Sequence, residues 1–139
     1  VCTGDAGDEA SAQVPDSLSG KVLRVTPDGR IPSSNPDLGR DGHIFSYGHR
    51  SPQDIDWLLS GVPIVSEYGP ANRDEVNVLL PGNDCGWPEV RRVADGLSDE
   101  WDTCAERDEV TPPPVSTGPN VGWAPTGASV YTGGAVPTL

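Results

Sequence analysis

The first group of residues that could do chemistry is a carboxylate held between glycines, in Thr3-Gly4-Asp5-Ala6-Gly7. Glycine tolerates positive φ and allows close backbone approach, so Asp5 could point into a cleft. The same run is also typical of an Asx turn, in which the carboxylate only bonds its own backbone. On these residues alone, both interpretations stay open.

A second group combines an imidazole, a guanidinium and an amide, in Ser46-Tyr47-Gly48-His49-Arg50-Ser51-Pro52-Gln53. Arg50 carries its N–H donors in a fixed planar fork, which suits a carboxylate or a quinone oxygen. The alternative is a solvent-exposed arginine beside a structural histidine.

The third group concentrates acidic side chains and backbone carbonyls on loops, in Ser66-Glu67-Tyr68-Gly69-Pro70, Asp74-Glu75-Val76-Asn77 and Asp84-Cys85-Gly86-Trp87-Pro88. Hard oxygen ligands of this kind are what calcium requires. The spacing does not match an EF-hand loop. The alternative is a set of acidic loops that water simply solvates.

Short strands between turns must position these groups. Gly 17 and Pro 15 together make up 32 of 139 residues, a density that breaks helices and excludes an all-α fold. Residues 1–4 read as the end of a strand. Alternating apolar and polar residues predict five further strands, at residues 21–25, 43–47, 62–66, 76–80 and 128–131. This organisation predicts an all-β sandwich, barrel or propeller.

Two stretches lack sustained periodicity, residues 5–19 and 84–120, and we expect residues 89–120 to form a long variable loop region. The three cysteines lack the CxxC spacing of zinc sites. A Cys85–Cys104 disulfide and three free thiols, Cys2 included, are equally good interpretations.

Composition limits the partners. The chain has 9 Lys+Arg against 21 Asp+Glu, a net charge of -12, whereas phosphate binding needs a basic surface. We therefore expect no nucleic-acid partner. No apolar run reaches the roughly 18 residues of a membrane span, and no signal peptide is recognisable. The absence of Met and the opening Val1-Cys2-Thr3-Gly4 indicate an internal piece of a longer protein.

In this order, GDAG, SGKVLRVTPDGRIP, SYGHRSPQ, SEYGPANRDEVN and PGNDCGWP resemble the glucose/sorbosone dehydrogenase family of soluble, pyrroloquinoline-quinone-dependent (PQQ-dependent) aldose sugar dehydrogenases. The resemblance runs from Val1 to about Pro88 and returns weakly at residues 124–134. It implies a six-bladed β-propeller with the quinone above the central channel, of which residues 1–139 form roughly three blades.

The implied activity belongs to an exported, periplasmic or extracellular, full-length protein. It oxidises the C1 hydroxyl of an aldose to a lactone by hydride transfer to PQQ, with a natural or artificial electron acceptor, and the piece alone is inactive. Asp5 matches the carboxylate that orients a catalytic histidine. That histidine lies upstream of this chain, and neither His43 nor His49 takes its role. Arg50 matches the arginine that contacts the quinone and stabilises its reduced form.

The resemblance also implies calcium. The carbonyls of Gly69 and Pro70 match those that hold a Ca²⁺ ion polarising the quinone, which is a Lewis-acid role. A second, structural Ca²⁺ would use the Glu75 side chain and the carbonyl of Cys85, where the family usually has tyrosine.

Two positions depart from the family pattern beside the cofactor-binding residues Arg50, Ser51 and Gln53. Ser51 stands where the family has asparagine, and Asp54 stands where it has glycine. A cofactor-less extracellular propeller that acts as a binding domain therefore stays open as the alternative. Trp123 is a candidate for stacking on the sugar, with packing in the core as its other interpretation.

Overall fold

The structure, a computed structural model, describes residues 1–39, 42–89, 111, 113–117 and 120–134. Within these ranges the elements are short strands in two antiparallel sheets and one 3-10 helix, Glu9–Gln13. The all-β prediction is therefore confirmed. Within the same ranges there is no helix with the length and hydrophobicity that crossing a bilayer requires.

Each sheet is a meander in which every strand pairs with the next one along the chain. The first sheet contains β1 (Cys2–Thr3), β2 (Lys21–Leu23) and β3 (Ile44–Tyr47). The second contains β4 (Pro52–Trp57), β5 (Pro63–Glu67), β6 (Glu75–Val78) and β7 (Val115–Ser116). Meanders of short antiparallel strands are the building unit of a propeller, whose number of blades stays a prediction for this chain.

Apolar side chains from both sheets form one core. Val22 and Phe45 come from the first sheet, and Val65 and Leu79 come from β5 and the residue after β6. Full burial of such side chains contributes about 1.5–3 kcal/mol each, which holds the two sheets together.

The predicted strands agree with the structure in four cases and fail in one. The observed β2, β3, β5 and β6 begin and end within two residues of their predicted bounds, and β1 lies at the predicted strand end. The prediction missed β4 and β7. The strand predicted at residues 128–131 is wrong, because its backbone bonds side chains instead of a neighbouring strand. Ala128 N–H donates to Asp54 Oδ2 at 3.2 Å, and Val130 N–H donates to Asp56 Oδ2 at 2.6 Å.

Most of the predicted loop region 89–120 lies outside the described residues, and so does Cys104. Cys2 and Cys85 are free thiols. The irregular stretch 5–19 is confirmed, apart from the 3-10 helix inside it.

A buried lysine closes this irregular stretch. The Lys21 ammonium donates to the carbonyls of Ser11 at 2.9 Å, Ala12 at 2.9 Å and Ser19 at 2.7 Å. Burial lowers the pKa of Lys21 to about 8, so the side chain stays protonated at pH 7 and keeps its donors. The loop that follows Asp5 is thereby fixed to β2.

Candidate functional site

The meander brings the three groups singled out in the sequence to one edge. In an antiparallel sheet alternate strands end on the same side, so the residues after β1 and β3 lie together. The pairing of Pro52 with Glu67 then brings the end of β5 to the same edge. Asp5 follows β1, Arg50 follows β3 and Gly69 follows β5. The Asp5 N–H donates to the Arg50 carbonyl at 2.9 Å, which links the two sheets at this edge.

Asp5 adopts the Asx turn and also bonds a residue that is far away in the sequence. The Gly7 N–H donates to Asp5 Oδ1 at 3.0 Å, which is the local turn. The Trp87 indole N–H donates to Asp5 Oδ2 at 2.9 Å. With one bond on each oxygen the carboxylate is fixed in orientation, and each oxygen keeps a lone pair for a further donor.

Arg50 is half-buried against the same tryptophan, so the exposed-arginine alternative is wrong. Its guanidinium carbon lies 5.6 Å from the centroid of the Trp87 ring, within cation–π range. One of its N–H groups donates to the Tyr68 carbonyl at 3.3 Å. A guanidinium carries several more donors than this bond uses, which leaves capacity for an anionic or carbonyl ligand.

Sequence reasoning missed Trp87, although the block that contains it was identified. The segment after β6 runs parallel to β3, where Asp84 bridges to Tyr47 and the Trp87 N–H donates to the Gly48 carbonyl at 3.0 Å. Gly48 has φ of 72°, and a Cβ there would lie 2.1 Å from Asp84 Oδ1. Glycine is therefore required for the close approach that places Trp87 at the site.

The buried side chain of Glu67 fixes the backbone at Arg50 and Ser51. It is 4% exposed and accepts the N–H groups of Arg50 and Ser51, the latter at 3.3 Å. Its other oxygen contacts Nδ1 of His49 at 2.9 Å and the Asn77 amide at 3.5 Å. A buried carboxylate with this many donors is stabilising only while all of them remain in place.

His49 is fully buried and is a structural residue, as the alternative interpretation held. Its Nε2 lies 2.9 Å from Ser46 Oγ. Burial opposes the charged ring, yet Cys85 and Glu67 outweigh it and raise the pKa of His49 well above its usual range. Burial raises the pKa of Cys85 as well, while the neighbouring His49 opposes that rise.

The loop that carries Gly69 and Pro70 is tightly closed. A Cβ on Gly69 would lie 1.9 Å from the Arg73 carbonyl oxygen, so no other residue fits this backbone. The Asn72 N–H donates to the Pro70 carbonyl at 2.7 Å, and the Gly69 N–H donates to Asp74 Oδ1 at 3.2 Å. Asp74 and Glu67 are both buried, so the solvated-loop alternative is wrong for them.

Glu75 stands at the start of β6, close to Glu67. The Asn77 amide donates to Glu75 Oε2 at 3.1 Å. Burial, followed by the charge of Glu67, raises the pKa of Glu75 to about 8. Cys85 lies close enough to Glu67 and Glu75 for a negative charge on either carboxyl to raise the pKa of its thiol. Among the described residues no three His, Cys, Asp or Glu side chains are grouped to hold a metal, so a cation here needs backbone carbonyls.

The other two predicted cofactor-binding residues bond each other. Gln53 is exposed, and it is an extra residue of β4 at the point between Pro52 and Asp54 where the register with β5 shifts. Its amide donates to the carbonyl of Ser51 at 3.1 Å and to its hydroxyl at 3.0 Å. Such irregularities at strand ends often aim a side chain into a site.

Trp123 is 55% exposed, so the interpretation as a core residue is wrong. The backbone N–H of Trp123 donates to Asp74 Oδ2 at 2.6 Å, and the other oxygen of Asp74 accepts the Gly69 N–H. The indole is therefore presented to solvent beside the candidate site.

The match to known proteins covers the whole chain. The family model described as glucose/sorbosone dehydrogenase matches residues 1–139. The chain belongs to the glucose/sorbosone dehydrogenase family. The chain is 43% identical over 77 residues to quinoprotein glucose dehydrogenase B of Acinetobacter calcoaceticus, covering 55% of this chain. It is 36% identical over 94 residues, 63% of this chain, to an aldose sugar dehydrogenase of Escherichia coli.

A solved structure of this family shares the fold. The PQQ-bound form of aldose sugar dehydrogenase from Streptomyces coelicolor superposes with a TM-score of 0.73 at 31% identity, over 91% of this chain. The chain spans 34% of that protein, and 16% and 25% of the two relatives from Acinetobacter and Escherichia.

Proposed function

We propose that this chain is part of a PQQ-dependent sugar dehydrogenase that oxidises the C1 hydroxyl of an aldose to the lactone. The observation that carries the proposal is the position of Arg50 between the Trp87 ring and the Tyr68 carbonyl, next to the fixed carboxylate of Asp5. The 139 residues alone are inactive, because the histidine that Asp5 would orient is supplied from another part of the protein.

The proposed division of labour follows from the chemistry of each group. The chemistry that PQQ would supply when bound is that of a hydride acceptor for the sugar C1 carbon. Asp5 holds the external histidine that removes the hydroxyl proton, and its negative charge stabilises the imidazolium that results. Arg50 would hold the cofactor through N–H groups that lie in a fixed plane, and Ser51 and Gln53 would bind it beside Arg50.

Backbone oxygens suit the proposed calcium ions. The Gly69 and Pro70 carbonyls would hold the ion next to the cofactor, in a loop whose closure fixes their position. The Glu75 side chain and the Cys85 carbonyl would hold the structural ion. Carboxylates and carbonyls are the oxygen donors that Ca²⁺ prefers, so the donor chemistry fits.

The Asp54 carboxylate, which departs from the family pattern, bonds two backbone N–H groups. Its Oδ2 accepts the Ala128 N–H at 3.2 Å and its Oδ1 accepts the Ile55 N–H at 2.9 Å. Both oxygens are thus engaged with backbone groups, which supports the enzyme over the cofactor-less binding domain. The proposed partners are an aldose and an electron acceptor, with no nucleic acid, and we propose that the full-length protein is exported.

Reconstitution of the full-length protein with PQQ and Ca²⁺ tests the proposal. We expect aldose-dependent reduction of a dye, and saturable binding when PQQ is titrated. Arg50→Ala should weaken PQQ binding at least tenfold, since a hydrogen bond to a charged group is worth about 1.5–3 kcal/mol. Arg30→Ala is the matched control, because Arg30 is exposed and forms its ion pair with Asp28, at 2.9 Å, away from the candidate site. Absence of both binding and dye reduction would favour the binding domain.

Calcium should stabilise the protein through Glu75. A ligand that binds only the folded state adds about 2.7 kcal/mol at a concentration near 100 Kd, so calcium should raise Tm. Glu75→Gln removes a charged oxygen ligand and should abolish most of this increase, whereas Glu9→Gln on the exposed side of the 3-10 helix should retain it. An equal increase in both variants would remove Glu75 from the site.

A further inference from the structure

Residues 120–134, called the strap below, are held to the second sheet by carboxylates. Asp74 Oδ2 accepts the N–H groups of Trp123 and Ala124, both at 2.6 Å. Further along, Asp54 and Asp56 accept N–H groups of residues 128 and 130. Three aspartates, two on β4 and one directly before β6, thus bond the strap backbone at successive points.

Asp74 differs from the other two aspartates because it also holds the candidate site. It is 5% exposed, and its Oδ1 accepts the Gly69 N–H at 3.2 Å while Oδ2 holds the strap. Its backbone continues the connection, since its carbonyl accepts the Thr117 N–H at 3.0 Å and its N–H donates to Thr117 Oγ1 at 3.0 Å. One side chain therefore joins the Gly69–Pro70 loop to the strap.

We propose that Asp74 is a positioning residue that fixes the Gly69–Pro70 carbonyls and the Trp123 strap relative to each other. The proposal rests on the proposed function for its consequence, which is the binding of Ca²⁺ and PQQ beside that loop. Asp74 itself contacts neither ligand in this assignment. Its effect passes through the Gly69 N–H on one oxygen and the strap N–H groups on the other.

Two of the four glycines in the strap allow the contact between the strap and the aspartates to be tested without a change of charge. A Cβ on Gly122 would lie 3.1 Å from Asn72 Oδ1 and 3.5 Å from Asp74 Oδ2. A Cβ on Gly127 would lie 3.3 Å from Asp54 Oδ2. Both glycines are exposed, so alanine at either position should leave the fold intact. At position 122 the added Cβ presses on Asn72, next to the contact between the strap and Asp74, and at position 127 it presses on Asp54.

The experiment compares Asp74→Asn with Asp56→Asn in the full-length protein, by hydrogen exchange and by titration with Ca²⁺ and PQQ. Asparagine at position 74 leaves one acceptor oxygen for two sets of N–H donors. We expect exchange at least tenfold faster both at Gly69 and at the strap around Trp123, with tenfold weaker Ca²⁺ binding. Asp56→Asn should accelerate exchange only near its two N–H partners, Trp57 and Val130, and leave exchange at Gly69 and the affinity for Ca²⁺ and PQQ unchanged.

The alanine pair separates positioning from charge and covers a failure of Asp74→Asn to fold. Gly122→Ala should accelerate exchange at Gly69 and weaken Ca²⁺ and PQQ binding about threefold or more, whereas Gly127→Ala should do neither. Unchanged exchange at Gly69 in Asp74→Asn or Gly122→Ala would overturn the proposal. If the parent protein binds neither Ca²⁺ nor PQQ, the proposed function fails, and exchange at Gly69 still decides the role of Asp74.

Discussion

Replacing Asp5 by asparagine is expected to lower turnover of the full-length enzyme by about 10² to 10⁴, with PQQ affinity nearly unchanged. The Gly7 and Trp87 N–H groups hold one carboxylate oxygen each, so the side chain is already fixed before any ligand binds. Asparagine keeps one oxygen acceptor but loses the negative charge. That charge matters most when the external histidine becomes protonated, which is in the transition state rather than in the ground state.

Steady-state kinetics at saturating PQQ, together with a PQQ titration, measure the two effects separately. Asp28→Asn is the control, because Asp28 lies in an exposed turn and pairs with Arg30. A loss of PQQ affinity as large as the loss of turnover would mean that Asp5 acts on cofactor binding. Unchanged turnover in Asp5→Asn would remove its proposed role and favour the binding-domain alternative.

Alternation of residue types predicts a strand where one face packs on the core. It located β5 (Pro63–Glu67), in which Val65 is fully buried. It missed β4 (Pro52–Trp57), an edge strand in which Ile55 packs against the core while the aspartates on either side of it bond backbone N–H groups of the strap. The strand predicted at residues 128–131 failed because of the same bonds: its composition is that of a strand, but its N–H groups bond carboxylates.

The candidate site divides along the same line. Asp5 and Arg50 could be predicted because glycines or a strand end mark them locally in the chain. The indole of Trp87, which contacts both residues, could not be predicted, because its bond to Asp5 spans 82 residues. The bond from Trp123 to Asp74 spans 49 residues, and no local pattern signals it. Contacts of this length depend on how the sheets pack, which the sequence blocks do not specify.

Glu67→Gln should have the largest effect on stability, a loss of about 3–5 kcal/mol in the free energy of unfolding. Glu67 Oε1 accepts the N–H groups of Arg50 and Ser51, and Oε2 contacts His49. Glutamine offers one acceptor oxygen, so in either orientation its amide NH₂ faces buried donors. The imidazole of His49 also loses the charge that faces it.

Urea unfolding of the full-length protein measures this loss, and Ser46→Ala provides the matched control. Ser46 contacts the other ring nitrogen of His49 at 2.9 Å, and removing a neutral hydrogen bond of this kind costs about 0.5–1.5 kcal/mol. Since Glu67 also fixes the Arg50 backbone, PQQ affinity should fall in Glu67→Gln and persist in Ser46→Ala. Equal losses of stability in the two variants would show that charge pairing with His49 does not hold this edge of the sheet together.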